Sequence, residues 1–226
     1  MKFKNREEAG KKLGVEIDDY LENKKDVVIL AIPRGGVLVA YPISKWLGIP
    51  FHLIITKKLT APQAPEVAIG AIAPDGTYKV NQRTYSYFNP SPSQFEVIKE
   101  TALSKVKTRL EKYTNGQEPD VREKTVIIID DGIATGYTAL VAGKYVKNKG
   151  AKKVILAVPV CPADSVSRML EVFDDFLYVH KESLGPFSVG AFYIDFHQNT
   201  DQELFDNLNN AEQNHLLYQN LEKATT

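Results

Sequence analysis

Val126-Ile127-Ile128-Ile129-Asp130-Asp131-Gly132-Ile133-Ala134-Thr135-Gly136-Tyr137-Thr138 is the stretch whose reading decides the fold. Four consecutive apolar residues suit a short strand buried on both faces, as parallel strands between helix layers are. Two acids end the run, and small residues lead on to a helix expected from about Thr138 to Lys149. A buried strand, a glycine turn and a helix make the repeating unit of an α/β sheet. Residues directly after such a strand lie at the edge where open parallel sheets bind ligands.

The same grammar extends in both directions. Upstream, Val27 to Ile32 is a second apolar run, closed by Pro33-Arg34-Gly35-Gly36. A helix from Val37 to Leu47, tolerating Pro42, and a strand from Phe51 to Thr56 follow. Trp46 is expected to pack that helix onto the sheet. Downstream, Gly150 stops the helix, Val154 to Val158 gives a strand, Ala163 to Leu170 a short helix and Phe176 to Val179 another strand. Asn5 and Glu8 form a capping-box pattern for a first helix from about Arg6 to Lys24.

From Leu59 to about Pro92 the period breaks. Prolines at 62, 65, 74, 90 and 92 read as loops, with a hairpin of Ala68 to Ala73 and Thr77 to Val80 around Asp75-Gly76. An amphipathic helix from Ser93 to Tyr113 stops at Asn115-Gly116, and a polar helix is expected from about Asp201 to Leu221. The expected fold class is α/β, an open, mainly parallel sheet with helices on both faces plus a small hood. A single domain over 1–226 is expected, with its core at about 1–58 and 93–180 and its hood at 59–92 and 181–226.

The chain has 226 residues, and its 28 basic and 28 acidic side chains cancel. No global field draws it to nucleic acid or to an anionic membrane, so neither is expected as a partner, and any anion must be held by local geometry. A lone cysteine, Cys161, excludes an intrachain disulfide framework and a thiolate metal cluster. No apolar run approaches the ~20 residues of a spanning helix, and a cytoplasmic location is the expectation. The four histidines, at 52, 180, 197 and 215, are scattered without metal-ligand spacing.

The turn after Ile129 carries the chemistry. Backbone N–H groups of a glycine-containing turn, joined to the positive end of a helix, form an anion site, and Thr135 and Thr138 add hydroxyls. Carboxylates beside an anion site conflict unless one ligand brings hydroxyls or a metal ion to the acids and a phosphate to the turn. A ribose 5-phosphate does both. Four apolar residues and two acids also occur in receiver domains and nucleotide hydrolases, but neither needs the Ala134-Thr135-Gly136-Tyr137-Thr138 continuation. The chain also lacks the Gly-x-x-x-x-Gly-Lys-Ser/Thr loop of the hydrolases.

The motif as a whole resembles the phosphoribosyl pyrophosphate signature of type I phosphoribosyltransferases. Leu59 to Ala73, Phe3 to Gly10 and Phe192 to Phe196 are similar to stretches of a poorly characterised bacterial branch of that family. The resemblance implies transfer of the 5-phosphoribosyl group from phosphoribosyl pyrophosphate to a nucleobase-like, small-molecule acceptor, with release of pyrophosphate. Magnesium is the implied cofactor, and a homodimer is admitted because many relatives form dimers. The alternative is a regulator that binds phosphoribosyl pyrophosphate without turnover.

Under that resemblance Asp130, Asp131 and Lys58 are the expected catalytic residues, the two aspartates doubling as indirect metal ligands. Ribose 5-phosphate is assigned to Asp130, Asp131 and the run Ile133, Ala134, Thr135, Gly136, Tyr137 and Thr138. Pyrophosphate is assigned to Arg34, Gly35, Gly36, Lys57 and Lys58, with the two lysines expected to end the second parallel strand. Glu66, Phe192, Tyr193 and Phe196 are candidates for the acceptor side, the aromatics as a wall against a flat base. Two departures matter. Tyr137 stands where the family often has a small residue. Ala134 replaces the aspartate of enzymes acting on 6-oxopurines, leaving adenine-like, pyrimidine or non-nucleobase acceptors open.

Overall fold

The structure, a computed structural model, describes residues 1–223; the end of the expected C-terminal hood segment, 224–226, lies outside the described residues. Its centre is a five-stranded sheet of β1 (Val27–Ala31), β2 (Phe51–Leu53), β7 (Thr125–Ile129), β8 (Lys153–Pro162) and β9 (Asp175–Glu182), in the order β2-β1-β7-β8-β9. Every pairing in it is parallel. The expected α/β class is therefore observed. The central pair, β1 and β7, runs in register from Val27 against Thr125 to Ala31 against Ile129.

Alternation along each strand builds two cores. Ile29, Ala31, Ile127, Ile129, Ile155 and Ala157 face one layer, with α1 (Arg6–Tyr20) and α2 (Gly35–Leu47). Val28, Leu30, Val126, Ile128, Val154 and Leu156 face the other, with α5 (Tyr137–Asn148). Both sets are essentially inaccessible to solvent, so truncating any of these isoleucines or leucines to alanine costs about 2–5 kcal/mol.

Between β2 and β7 the chain forms a second sheet, antiparallel, of β3 (Lys57–Ala61), β4 (Ala64–Ile72) and β5 (Tyr78–Val80). α3 (Gln82–Phe88) and α4 (Pro92–Thr114) follow. The expected β4–β5 hairpin is present, whereas β3 forms where the prolines predict loop. Pro62 and Pro65 sit at the β3–β4 turn and the start of β4, where the ladder tolerates them. Two further corrections follow. β2 ends at Leu53, so Lys57 and Lys58 do not end a parallel strand; they open β3. Trp46 does not pack α2 onto the sheet: it is 52% exposed and lies across Gly14 of α1, where an added Cβ would come within 2.8 Å of the ring.

The chain ends are tied to this frame. Asn5 caps α1 by accepting from the Glu8 amide at 3.0 Å, while Glu8 returns to the Lys4 amide and leaves the expected reciprocal box incomplete. α1 stops at Tyr20, whose hydroxyl donates to Asp175 on β9. α6 (Ser165–Leu170) links β8 to β9. α7 (Asp201–Gln213) is capped by a reciprocal pair of Thr200 and Glu203, and it ends earlier than expected. The residues beyond it turn back as a strand, β10 (Leu221–Lys223), antiparallel to β6 (Gln117–Pro119).

Candidate active site

The strand order reverses between β1 and β7: β1 is followed in sequence by β2 on one side, while β7 lies on its other side. The carboxyl ends of these two strands flank the crevice in which open sheets bind ligands. Both loops singled out in the sequence start there. They are in contact: a Cβ on Gly36 would lie 2.6 Å from the Ile129 carbonyl oxygen and 3.2 Å from Asp130 Cα. Gly35 is tighter still, since a Cβ would overlap Asp131 Oδ2 at 2.0 Å. The paired glycines thus let the first loop close on the second.

Asp131 is already engaged. Arg6, the first residue of α1, donates from Nε to Asp131 Oδ2 at 2.7 Å, and both side chains are nearly covered. Its guanidinium also reaches the His197 carbonyl at 3.2 Å and lies 4.0 Å from the centre of the Phe196 ring. The Tyr193 hydroxyl donates to the Asp131 carbonyl at 2.7 Å. Asp130 accepts from the Asp131 amide at 2.9 Å. Burial, followed by the charge of Asp131, pushes the Asp130 carboxyl well above the usual range, and the field of Lys58 partly offsets that.

The turn beyond the aspartates keeps most of its donors. α5 starts at Tyr137 with Gly136 as its cap, at φ 75° and with no side-chain bond to the open amides. Among the described residues, backbone carbonyls leave the amides of Ala134, Thr135, Gly136, Tyr137 and Thr138 free, as expected of a helix start. Ile133 differs from the expectation: its amide donates to the Val160 carbonyl at 3.0 Å and its side chain is buried, so it braces the turn from below. Ala134 and Thr135 are exposed, while Tyr137 and Thr138 are half-buried. Arg168 of α6 donates to the Thr135 carbonyl at 3.1 Å and its guanidinium lies 5.9 Å from the Tyr137 ring centre. Tyr137 thus packs toward α6.

On the other loop, Arg34 donates to Asp201 at 3.2 Å, and Lys112 and Tyr113 converge on the same carboxylate. Those contacts, Lys112 first, hold Asp201 at a pKa of about 2. The Gly36 amide is taken by the Ile32 carbonyl at 3.1 Å, so this glycine contributes close packing in place of the expected donor. Lys57 is half-buried. Burial, then the charges of Arg109, Lys105, Lys58 and Arg34, pull its pKa down, so these five cations share one neighbourhood.

The hood candidates divide. Tyr193 is 4% exposed, stacks on Phe196 at 5.0 Å and packs 5.3 Å from Phe3. Phe192 stacks on Phe187 at 5.3 Å. Tyr193 and Phe196 support Arg6 and the Asp131 backbone, and Phe196 also lines a small cavity with Arg34 and Gly35. Glu66 lies exposed on β4. Sequence reasoning missed Arg6 and Asp201. The only signals were Arg6 in the N-terminal stretch of resemblance and Asp201 at a helix start.

A family model described as "Phosphoribosyl transferase domain" matches residues 2–182. A protein of Mycobacterium tuberculosis strain H37Rv, Rv0571c, provisionally named a phosphoribosyl transferase, is 33% identical over 210 residues, which make up 92% of this chain and 47% of the relative. Its counterpart in strain CDC 1551, MT0597, matches to the same extent. The chain thus spans about half the length of the curated relatives it matches. The crystal structure of TT1426 from Thermus thermophilus superposes with a TM-score of 0.74 at 28% identity, covering 92% of this chain and 98% of that one.

Proposed function

The chain belongs to the phosphoribosyl transferase domain family, and from that premise we propose that it transfers the 5-phosphoribosyl group of phosphoribosyl pyrophosphate to a small-molecule acceptor, releasing pyrophosphate. One observation carries this reading. At the crevice between β1 and β7, the two strand ends bring the Asp130–Asp131 pair against the Gly35–Gly36 loop, and the turn of 134–138 leads on from the pair with its amides open.

In this reading the 5-phosphate is held by the amides of Ala134 to Thr138, with the Thr135 and Thr138 hydroxyls beside it. The ribose 2- and 3-hydroxyls donate to Asp130 and Asp131. Arg6 fixes the direction of Asp131 through its Nε bond. Arg34 and Lys58 meet the diphosphate, with the Gly35 backbone approaching closely because no side chain intervenes.

Among the described residues no three of His, Cys, Asp and Glu gather as a metal cage. With Asp131 Oδ2 on Arg6, the pair fits a magnesium ion only together with ligand oxygens, which is a common way for that ion to be held. When bound, the ion supplies neutralisation of diphosphate charge. The chain's own residues hold both ends of the ligand as positive charge grows at the ribose C1, and they bring the acceptor to that atom.

The test is pyrophosphate release from phosphoribosyl pyrophosphate and magnesium across a panel of nucleobases and small acids. Release with at least one acceptor is expected. Tight binding with no release from any acceptor would favour the non-catalytic regulator, and no binding would end the proposal.

A further inference from the structure

A groove of about 580 Å³ runs between the β3–β4 hairpin and α4, adjoining the crevice but separate from its loops. No residue of 33–36 or 130–138 lines it. Lys57, Lys58 and Lys105 stand in it, with no acidic side chain among the lining residues. Beyond them the walls become apolar, with Pro62 and Pro65 on the hairpin and Val97 and Ile98 on α4; Val97 is 61% exposed. From Lys105 to Ser93 the groove follows α4 for about 18 Å, at 1.5 Å per residue.

The charge balance here is one-sided. The ion pairs of this region are Arg34 with Asp201, Lys112 with Asp201 and Lys99 with Glu96; none of them takes up Lys57, Lys58, Lys105 or Arg109. Clustered like charges destabilise a fold, and a bound ligand of opposite charge relieves that repulsion. One diphosphate at Arg34 and Lys58 accounts for the part nearest Asp130, where the field of Lys58 is felt. Lys105 and Arg109 lie four residues apart on α4, which places them on the same face of that helix. Toward the C-terminal end of α4 that charge runs on to Lys112, which meets Asp201 beside Arg34.

We propose that this groove seats a second ligand, an organic anion with an apolar body, whose acid group meets Lys57 and Lys105 and whose body lies against Val97, Ile98 and the hairpin prolines. The ligand is a second one, seated beside the crevice and not between its two loops. Lys58, whose field reaches Asp130, lines the groove as well. A neutral nucleobase would leave the lysines unanswered.

The experiment compares binding of phenylalkanoic acids of increasing chain length with binding of the alcohols of the same shape, by titration calorimetry on the full chain. Phosphoribosyl pyrophosphate with magnesium is titrated in parallel. The fitting acid is expected to bind about tenfold or more tightly than its alcohol, and Lys105→Gln to remove most of that preference. Lys105 is exposed, so the variant folds, and its affinity for phosphoribosyl pyrophosphate stays unchanged. Equal binding of acids and alcohols, binding of neither, or an acid preference untouched in Lys105→Gln would overturn the proposal. Failure of phosphoribosyl pyrophosphate to bind the unsubstituted protein would strike the transferase reading alone, leaving the acid preference to stand as a property of the groove.

Discussion

Arg6 and Asp131, 125 residues apart in sequence, meet through an Nε to Oδ2 bond of 2.7 Å, with side chains only 7% and 16% exposed. This pair joins the first turn of α1 to the end of β7. It gives one of the two adjacent carboxylates a fixed partner.

Breaking the pair from the arginine side leaves a covered carboxylate beside another acid. Arg6→Gln is expected to destabilise the fold by about 3 kcal/mol, read from the urea midpoint at constant m-value. Because Arg6 also lies over Phe196, part of that loss is packing. Arg6→Lys keeps the charge but not the Nε donor geometry, and is expected to recover only part of it.

Gly35 leaves no room for a methyl group. Gly35→Ala puts a Cβ within 2.0 Å of Asp131 Oδ2, and either the loop or the carboxylate must move. A stability loss of about 1–3 kcal/mol is expected, together with weaker binding of phosphoribosyl pyrophosphate. Calorimetry on the folded variant separates the two effects. Unchanged affinity would show that the Gly35 approach to Asp131 has no part in the site.

The raised pKa of Asp130 fixes the sign of a pH effect. As pH climbs above the ordinary aspartate value, the unfolded chain gives up this proton while the folded chain retains it. Stability therefore falls across the window between the unfolded and the raised folded pKa. Asp130→Asn removes that loss, so the variant is expected to melt above the parent at neutral pH, with the gap closing as pH drops toward the ordinary aspartate range. Thermal melts at a series of pH values check this; parallel curves would contradict it.

Asp131→Asn separates turnover from recognition. On the proposed function it lowers kcat by on the order of 100-fold, while the open amides of 134–138 retain part of the ligand affinity. Stopped-flow pyrophosphate release and equilibrium binding, measured on the same preparation, give the two quantities.

Much of this architecture was legible because one-dimensional signals matched local physics. Thr125 to Ile129 could be delimited to the residue, since its apolar run ends in two acids that cannot continue a doubly covered strand. Asn115 and Gly116 marked the end of α4 correctly, both having positive φ there, 51° and 69°. The failures have one cause, contacts distant in sequence. β2 ends at Leu53: the Ile54 amide still donates to the Ala31 carbonyl, and the chain then runs on to β3, which no local pattern announces. Arg6 and Asp201 looked like ordinary helix-start residues until the fold brought them to Asp131 and Arg34. The aromatic run Phe192 to Phe196 gave its composition but not its direction, which is set by Phe3 and Arg6.

Asp201 gives the first loop an internal substitute for its ligand. It already holds Arg34, and it draws in Lys112 and Tyr113 from α4 as well. On the proposed function, a diphosphate at that loop exchanges one anion for another on the same guanidinium. Lys112 and Tyr113 hold the Asp201 carboxylate on α4 as well, so the first residue of α7 ties the loop after β1 to the C-terminal end of α4.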